Sequence, residues 1–290
     1  MPSSNRRPRS VRPHAGGGAV MLIGGAEDKL KTKRILSRFV KLAGGAEARI
    51  VVVSTASMLG EITTETYKAI FTELGVAQVT GLRPQTRREA EDPQVATTLV
   101  EATGVFLTGG NQLRLTSIVA GTRLDSGLHL AHDRGAVIAG TSAGASALAG
   151  HMLAFGESGP TPRHGIVQLA AGLGLVPNTV VDQHFEERMR LGRLLSAIAQ
   201  SPSLVGLGLD EDTAAIVTVD GRMEVIGRGA VTVVDGSNMQ TDAYRLRRRR
   251  PMMISGAILH SIPSGYVFDL RARELVSNEG GVRIEREASE

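Results

Sequence analysis

A chain of 290 residues, 42% hydrophobic and 21% charged, has ordinary globular composition and excludes wholesale disorder. With no cysteine, no tryptophan and aromatics at 3%, it excludes disulfides, thiolate metal sites, a cysteine nucleophile and a stacking platform for single-stranded nucleic acid. The net charge of +4 sits in the first 20 residues, where Arg6, Arg7, Arg9 and Arg12 face no acid; the other 29 basic residues balance 29 acids. Residues 1–17 therefore read as a disordered basic tail. They lack the apolar core of a secretory signal, and nowhere do about 18 apolar residues run together, so a soluble, cytoplasmic protein that spans no membrane is expected.

From residue 18 onward, short apolar runs alternate with helical patterns. AVMLIGG (19–25) reads as a buried strand, followed by a helix over 27–43 with Leu30, Ile35, Phe39 and Leu42 on one face. RIVVVST (49–55) is a second strand, and a helix over 62–75 closes at Gly75. VAQVTGL (76–82), GVFLTGG (104–110) and AVIAGTS (136–142) are further strands, separated by helices at 92–102, 111–120 and 124–134. Such alternation predicts an α/β fold with a mostly parallel sheet flanked by helices. Beyond Ala214 the texture becomes β-rich, with Asp220-Gly221 between two strand-like runs as a hairpin signal. No linker divides residues 18–290, so a single domain is expected.

Ligands of open α/β sheets sit at the carboxyl ends of the strands, which directs attention to GGAED, TGGNQ, GTSAG, DQH and LDEDT. Gly140-Thr141-Ser142-Ala143-Gly144 is a G-x-S-x-G between a strand and an alanine-rich helix. That context raises Ser142 from a helix cap to a nucleophile on a strained turn, with the Ala143 amide aimed at a developing oxyanion. Of seven histidines, His184 stands apart because it follows the strand-like TVV directly, at the start of a new helix. Asp210, Glu211 and Asp212 end the apolar run LVGLGL and offer an orienting carboxylate, though position does not choose among them and a solvated turn explains them equally well. Gly109 and Gly110 can supply a second oxyanion amide, and Gln112 a polar contact to substrate. GGAED lacks a full phosphate-binding pattern, and Glu27 and Asp28 would repel phosphate. Arg190 and Arg193, about 60° apart on a helix, share a face and suggest a guanidinium clamp; Arg188 lies about 200° from Arg190 and does not join them on a regular helix.

Taken together, GGAEDK, TGGNQLRL, GTSAGASAL, DQHF followed by R-x-R-x-x-R-L, and GLGLDEDTA resemble the cyanophycinase family, serine peptidases related to aspartyl dipeptidases. The blocks fall in the family's order over about residues 18–275. The resemblance implies a class I glutamine amidotransferase-like α/β fold and a serine-type exopeptidase. Its substrate would be cyanophycin, a poly-aspartate with arginine on each β-carboxyl, cleaved through an acyl-enzyme to β-aspartyl-arginine. It makes Ser142 the nucleophile, His184 the base and Glu211 its partner, with Gln112, Asp182, Gln183, Arg188, Arg190 and Arg193 in the substrate pocket. The backbone of Gly110 and Ala143 would hold the oxyanion. No cofactor or metal is implied; a homodimer is. Asp182, or the loop acid Glu157, can meet the substrate guanidinium.

The alternatives remain distinct. A related aspartyl dipeptidase would act on short peptides with the same triad, and an ordinary esterase would pair Ser142 with His260. A non-catalytic binder of nucleic acid would use the tail and Arg245–Arg250, but the neutral body argues against that and no nucleic-acid partner is expected.

Overall fold

The computed structural model describes residues 17–247 and 249–276. All but one residue of the predicted tail (1–17) lies outside them. The first half of the chain alternates: β1 (Val20–Ile23), α1 (Arg34–Leu42), β2 (Arg49–Val53), α2 (Gly60–Glu73), β3 (Gln78–Leu82), α3 (Arg87–Ala90) and α4 (Pro93–Glu101). It continues with β4 (Gly104–Leu107), α5 (Gln112–Val119), α6 (Arg123–Asp133), β5 (Val137–Thr141) and α7 (Ala143–Leu148). Then come β6 (Ala149–Gly156), β7 (Val167–Ala171), β8 (Val176–Gln183) and α8 (Leu191–Gln200). Past α8 the described chain is built of strands: β9 (Val205–Leu209), β10 (Thr213–Val217), β11 (Arg222–Gly227), β12 (Ala230–Asp235), β13 (Gln240–Thr241), β14 (Ile254–Ser255), β15 (Ile258–Pro263), β16 (Val267–Asp269) and β17 (Glu274–Leu275).

Nine strands form one sheet in the order β17-β16-β11-β10-β1-β5-β4-β2-β3. β1, β5, β4, β2 and β3 run parallel, whereas β10, β11, β16 and β17 add antiparallel to the other edge of β1. Burial on both faces explains the unbroken apolar strands. Ile50 and Val52 of β2 face one core with Phe39, Tyr67 and Phe71 of α1 and α2, while Val51 and Val53 face another with Leu99, Leu115 and Leu128 of α4, α5 and α6. Four of the few aromatics, Phe39, Tyr67, Phe71 and Phe106, cluster with ring centroids 4.6–6.1 Å apart.

A second sheet, β15-β12-β9-β8-β6-β7, shares the core beneath α7, and α8 packs against it with Leu194, Ala197 and Ile198 buried. Two expected helices are shorter than predicted. The first begins at Arg34 rather than 27, because the Asp28 carboxylate accepts the amides of Leu30, Lys31, Thr32 and Lys33 and holds that stretch as a loop, leaving Leu30 89% exposed. The other begins at Leu191, seven residues after His184, so 185–189 is a turn and Met189 points to solvent. No helix among the described residues is long and apolar enough to cross a membrane.

Candidate active site

β5 delivers Ser142 at its carboxyl end, with α7 starting at the next residue. Ser142 has φ 51° and ψ −112°, a conformation costly for a residue with a side chain. Tight packing imposes it: a Cβ on Gly144 would come within 2.4 Å of the Leu107 carbonyl, and one on Gly140 within 2.5 Å of Gly144. The turn lifts the hydroxyl off the end of the sheet. Gly109, at the end of β4, lies against it; a Cβ there would sit 3.9 Å from Ser142 Oγ.

β8 belongs to the other sheet, and His184 follows its last residue, also at positive φ (48°). Ser142 Oγ lies 2.9 Å from His184 Nε2, and His184 Nδ1 lies 2.6 Å from Glu211 Oε1. An ionised carboxylate only accepts, so Nδ1 carries the proton toward Glu211 and Nε2 is left to accept from the serine hydroxyl. Of the three adjacent acids only Glu211 reaches the imidazole. Asp210 accepts the Glu186 and Ala230 amides, its carboxyl raised above the ordinary range by burial, and Asp212 accepts the Asp28 amide. His260, the alternative base, lies on β15 with its ring edge-on to Phe268.

The loop after β1 ties these pieces together. The Ile23 carbonyl accepts the Ser142 amide, Gly24 accepts His184 and Gly25 accepts Asp212, each at 2.9 Å. At Gly25 (φ 102°) a Cβ would come within 2.4 Å of the His184 ring, so glycine is needed for both conformation and space. GGAED is thus a backbone cradle.

Ser142 and His184 open on a cavity of about 360 Å³ that the sequence did not predict; Glu27, Lys29, Ile62, Tyr67, Gly109 and Thr141 help line it. Glu27 is buried and accepts from the Tyr67 hydroxyl and from Thr141 Oγ1 (2.6 Å). The signal for it was the acid directly after a strand end, which sequence reasoning weighed only against phosphate.

The expected substrate pocket is arranged differently from its sequence reading. Asp182, on β8, is 1% exposed and ion-paired to both Arg190 and Arg193, which are themselves buried. The carboxylate clamp read from Arg190 and Arg193 is therefore closed by an internal acid, and Asp182 is not open to a substrate guanidinium. Burial pushes the Arg190 guanidinium down to about 10, against the pull of Asp182. Gln183 accepts from Arg190 Nη1 with both its side-chain and main-chain oxygens. Gln112 donates to the Leu153 carbonyl at 2.8 Å. Arg188 is exposed in the turn ahead of α8, so the objection drawn from regular helix geometry does not apply. Glu157 pairs with Arg249 of the arginine run at 2.7 Å, and Arg248 lies outside the described residues.

A serine, a histidine and a carboxylate in hydrogen-bond series at the strand ends of an α/β sheet define a hydrolase of the serine type. Residues 20–226 match the family model described as Peptidase family S51, and the chain belongs to that family. It is 39% identical over 279 residues to a cyanophycinase of Trichormus variabilis, covering 95% of this chain and 94% of that protein. It is 39% identical to one of Synechococcus elongatus (92% and 84%) and 40% identical to one of Geminocystis herdmanii (85% and 92%). A crystal structure of a peptidase from an acI-B1 Actinobacterium shares the fold, with TM-score 0.64 and 19% identity over 88% of this chain and 97% of that one.

Proposed function

We propose that the chain is a serine-type exopeptidase that hydrolyses cyanophycin to β-aspartyl-arginine dipeptides through an acyl-enzyme. The continuous series Ser142–His184–Glu211, at 2.9 and 2.6 Å, carries this reading, and the likeness to curated cyanophycinases supplies the substrate. His184 takes the Ser142 proton as Oγ attacks the aspartyl carbonyl. Backbone amides of Gly110 and Ala143 receive the oxyanion, and His184⁺, steadied by Glu211, protonates the leaving amine. Water then enters, gives its proton to His184, and releases the aspartyl carboxylate and free serine. Gln112 and Arg188 are the proposed polar contacts to substrate, with Asp182, Gln183, Arg190 and Arg193 as the frame that holds the β8 end beside His184.

The same reading includes a class I glutamine amidotransferase-like fold over residues 18–290 as a single hydrolytic domain with a β-rich C-terminal part, working as a cytoplasmic homodimer. The parallel β3-β2-β4-β5-β1 array and the strained serine at its carboxyl edge support that fold class. The test is dipeptide release from insoluble cyanophycin by wild type beside Ser142→Ala. Wild type should solubilise the polymer, and the variant should lose at least about 10⁴-fold in kcat. Intact polymer together with cleavage of short aspartyl peptides would reassign the chain to the dipeptidase side of the family.

A further inference from the structure

The cavity beside Ser142 holds more charge than the relay uses. The Glu27 side chain is 1% exposed, accepts from the Tyr67 hydroxyl and Thr141 Oγ1, and ion-pairs with Lys29 Nζ at 2.9 Å. Burial and the charge on Glu27 push the Tyr67 hydroxyl well above its ordinary range, so it stays a donor. A carboxylate so buried needs a cation, and that need fixes Lys29 in place. The Tyr67 ring holds the same ammonium from another side, 5.5 Å from its centroid.

An ammonium has three N–H groups. Glu27 pairs with it through Oε1 and accepts one N–H, at 3.4 Å, through its backbone oxygen, which leaves donor capacity for a ligand in the cavity that Lys29 lines. The Lys29 side chain is 32% exposed, whereas Arg190 and Arg193 are turned inward on Asp182. Among the described residues lining this cavity, Lys29 and His184 are the basic ones, and both His184 nitrogens are engaged.

Each unit of the proposed substrate carries a free carboxylate, and the chain end carries another. We infer that Lys29 is a specificity-determining residue that binds a substrate carboxylate beside the scissile carbonyl, with Glu27 and Tyr67 positioning its ammonium. This rests on the reading of Ser142 as nucleophile. It requires no bond to be made or broken at Lys29.

The experiment uses a synthetic three-unit oligomer of the polymer in three forms: free, amidated at the main-chain terminal carboxyl, and amidated at the arginine carboxyls. In wild type, one of the two amidations should raise KM about 10-fold or more, and which one identifies the carboxylate held. In Lys29→Met the free oligomer should already show that raised KM, the same amidation should have no further effect, and kcat should change less than about 3-fold. Lys29→Arg should restore most of the affinity. A KM in Lys29→Met equal to wild type, or still sensitive to amidation, overturns the assignment. Labelling of Ser142 by a neutral sulfonyl fluoride separates the two readings. Failure to label wild type counts against the nucleophile, whereas labelled Lys29→Met with unmoved KM counts against Lys29 alone. If Lys29→Met does not fold, the assignment is overturned by wild type and Lys29→Arg both proving indifferent to either amidation.

Discussion

Two charged clusters flank the end of β8, centred two residues apart in sequence, and they have opposite characters. Asp182 faces inward on two buried guanidiniums, which also donate to Gln183 and to the Gly156 carbonyl. His184 faces the cavity, bridging a hydroxyl and a carboxylate that is 35% exposed. The first arrangement turns its charges on one another, one carboxylate between two buried guanidiniums, and away from the Ser142 cavity. The second keeps a nitrogen lone pair directed at a hydroxyl beside open space. Charge and proximity are common to both; access separates a reactive cluster from a structural one.

Substitution at the two clusters should therefore fail in different currencies. Glu211→Gln removes the acceptor that fixes the imidazole tautomer, so kcat should fall by about 10⁴-fold while the unfolding midpoint moves little. A loss under about 10-fold on a soluble oligomer would take Glu211 out of the relay. Asp182→Ala leaves two buried guanidiniums without an anion and should lower stability by about 3–5 kcal/mol in urea unfolding. A variant as stable as wild type would show that the arginines can turn outward, and would reopen them as substrate ligands.

The smallest effect concerns an intermediate case, Asp235 with Arg273. Burial alone would raise the Asp235 carboxyl, but the amide and hydroxyl of Ser237 and the Arg273 guanidinium outweigh it and hold it below the ordinary range. A depressed folded-state pKa means stability that is present above the unfolded carboxylate range and lost as pH falls through the folded value. Asp235→Asn should cost about 1–2 kcal/mol near neutrality and progressively less on acidification, read from urea midpoints at several pH values. A gap that widens in acid would reverse the sign.

The first sheet was legible because doubly covered parallel strands write themselves as apolar runs punctuated by glycine, and the strand-end rule then picked out Ser142, His184 and the 210–212 turn. Much of the second sheet was not. β6 carries a register shift between Leu153 and Phe155 and an uneven burial pattern, and β7 is mostly half-exposed, so neither shows a clean alternation. Which acid meets His184 was settled by tertiary structure, since the Gly25 carbonyl and the Asp28 amide claim Asp212 and the Ala230 and Glu186 amides claim Asp210. Glu27 with Tyr67 is a pairing across 40 residues and carries no local periodicity. The spacing of Arg190 and Arg193 reports that they share a face and not that this face meets Asp182.

Three consecutive carbonyls, from the last residue of β1 onward, bind segments that the ribosome makes at different times, at residues 142, 184 and 212. An emerging chain therefore carries Ser142 before His184 and Glu211, and the last anchor arrives only when the strands around residue 212 have been synthesised. Before residue 184 is made, the serine hydroxyl has no imidazole beside it. The hydrogen-bonded series is thus completed by the later part of the chain, and a copy ending before residue 211 lacks its carboxylate.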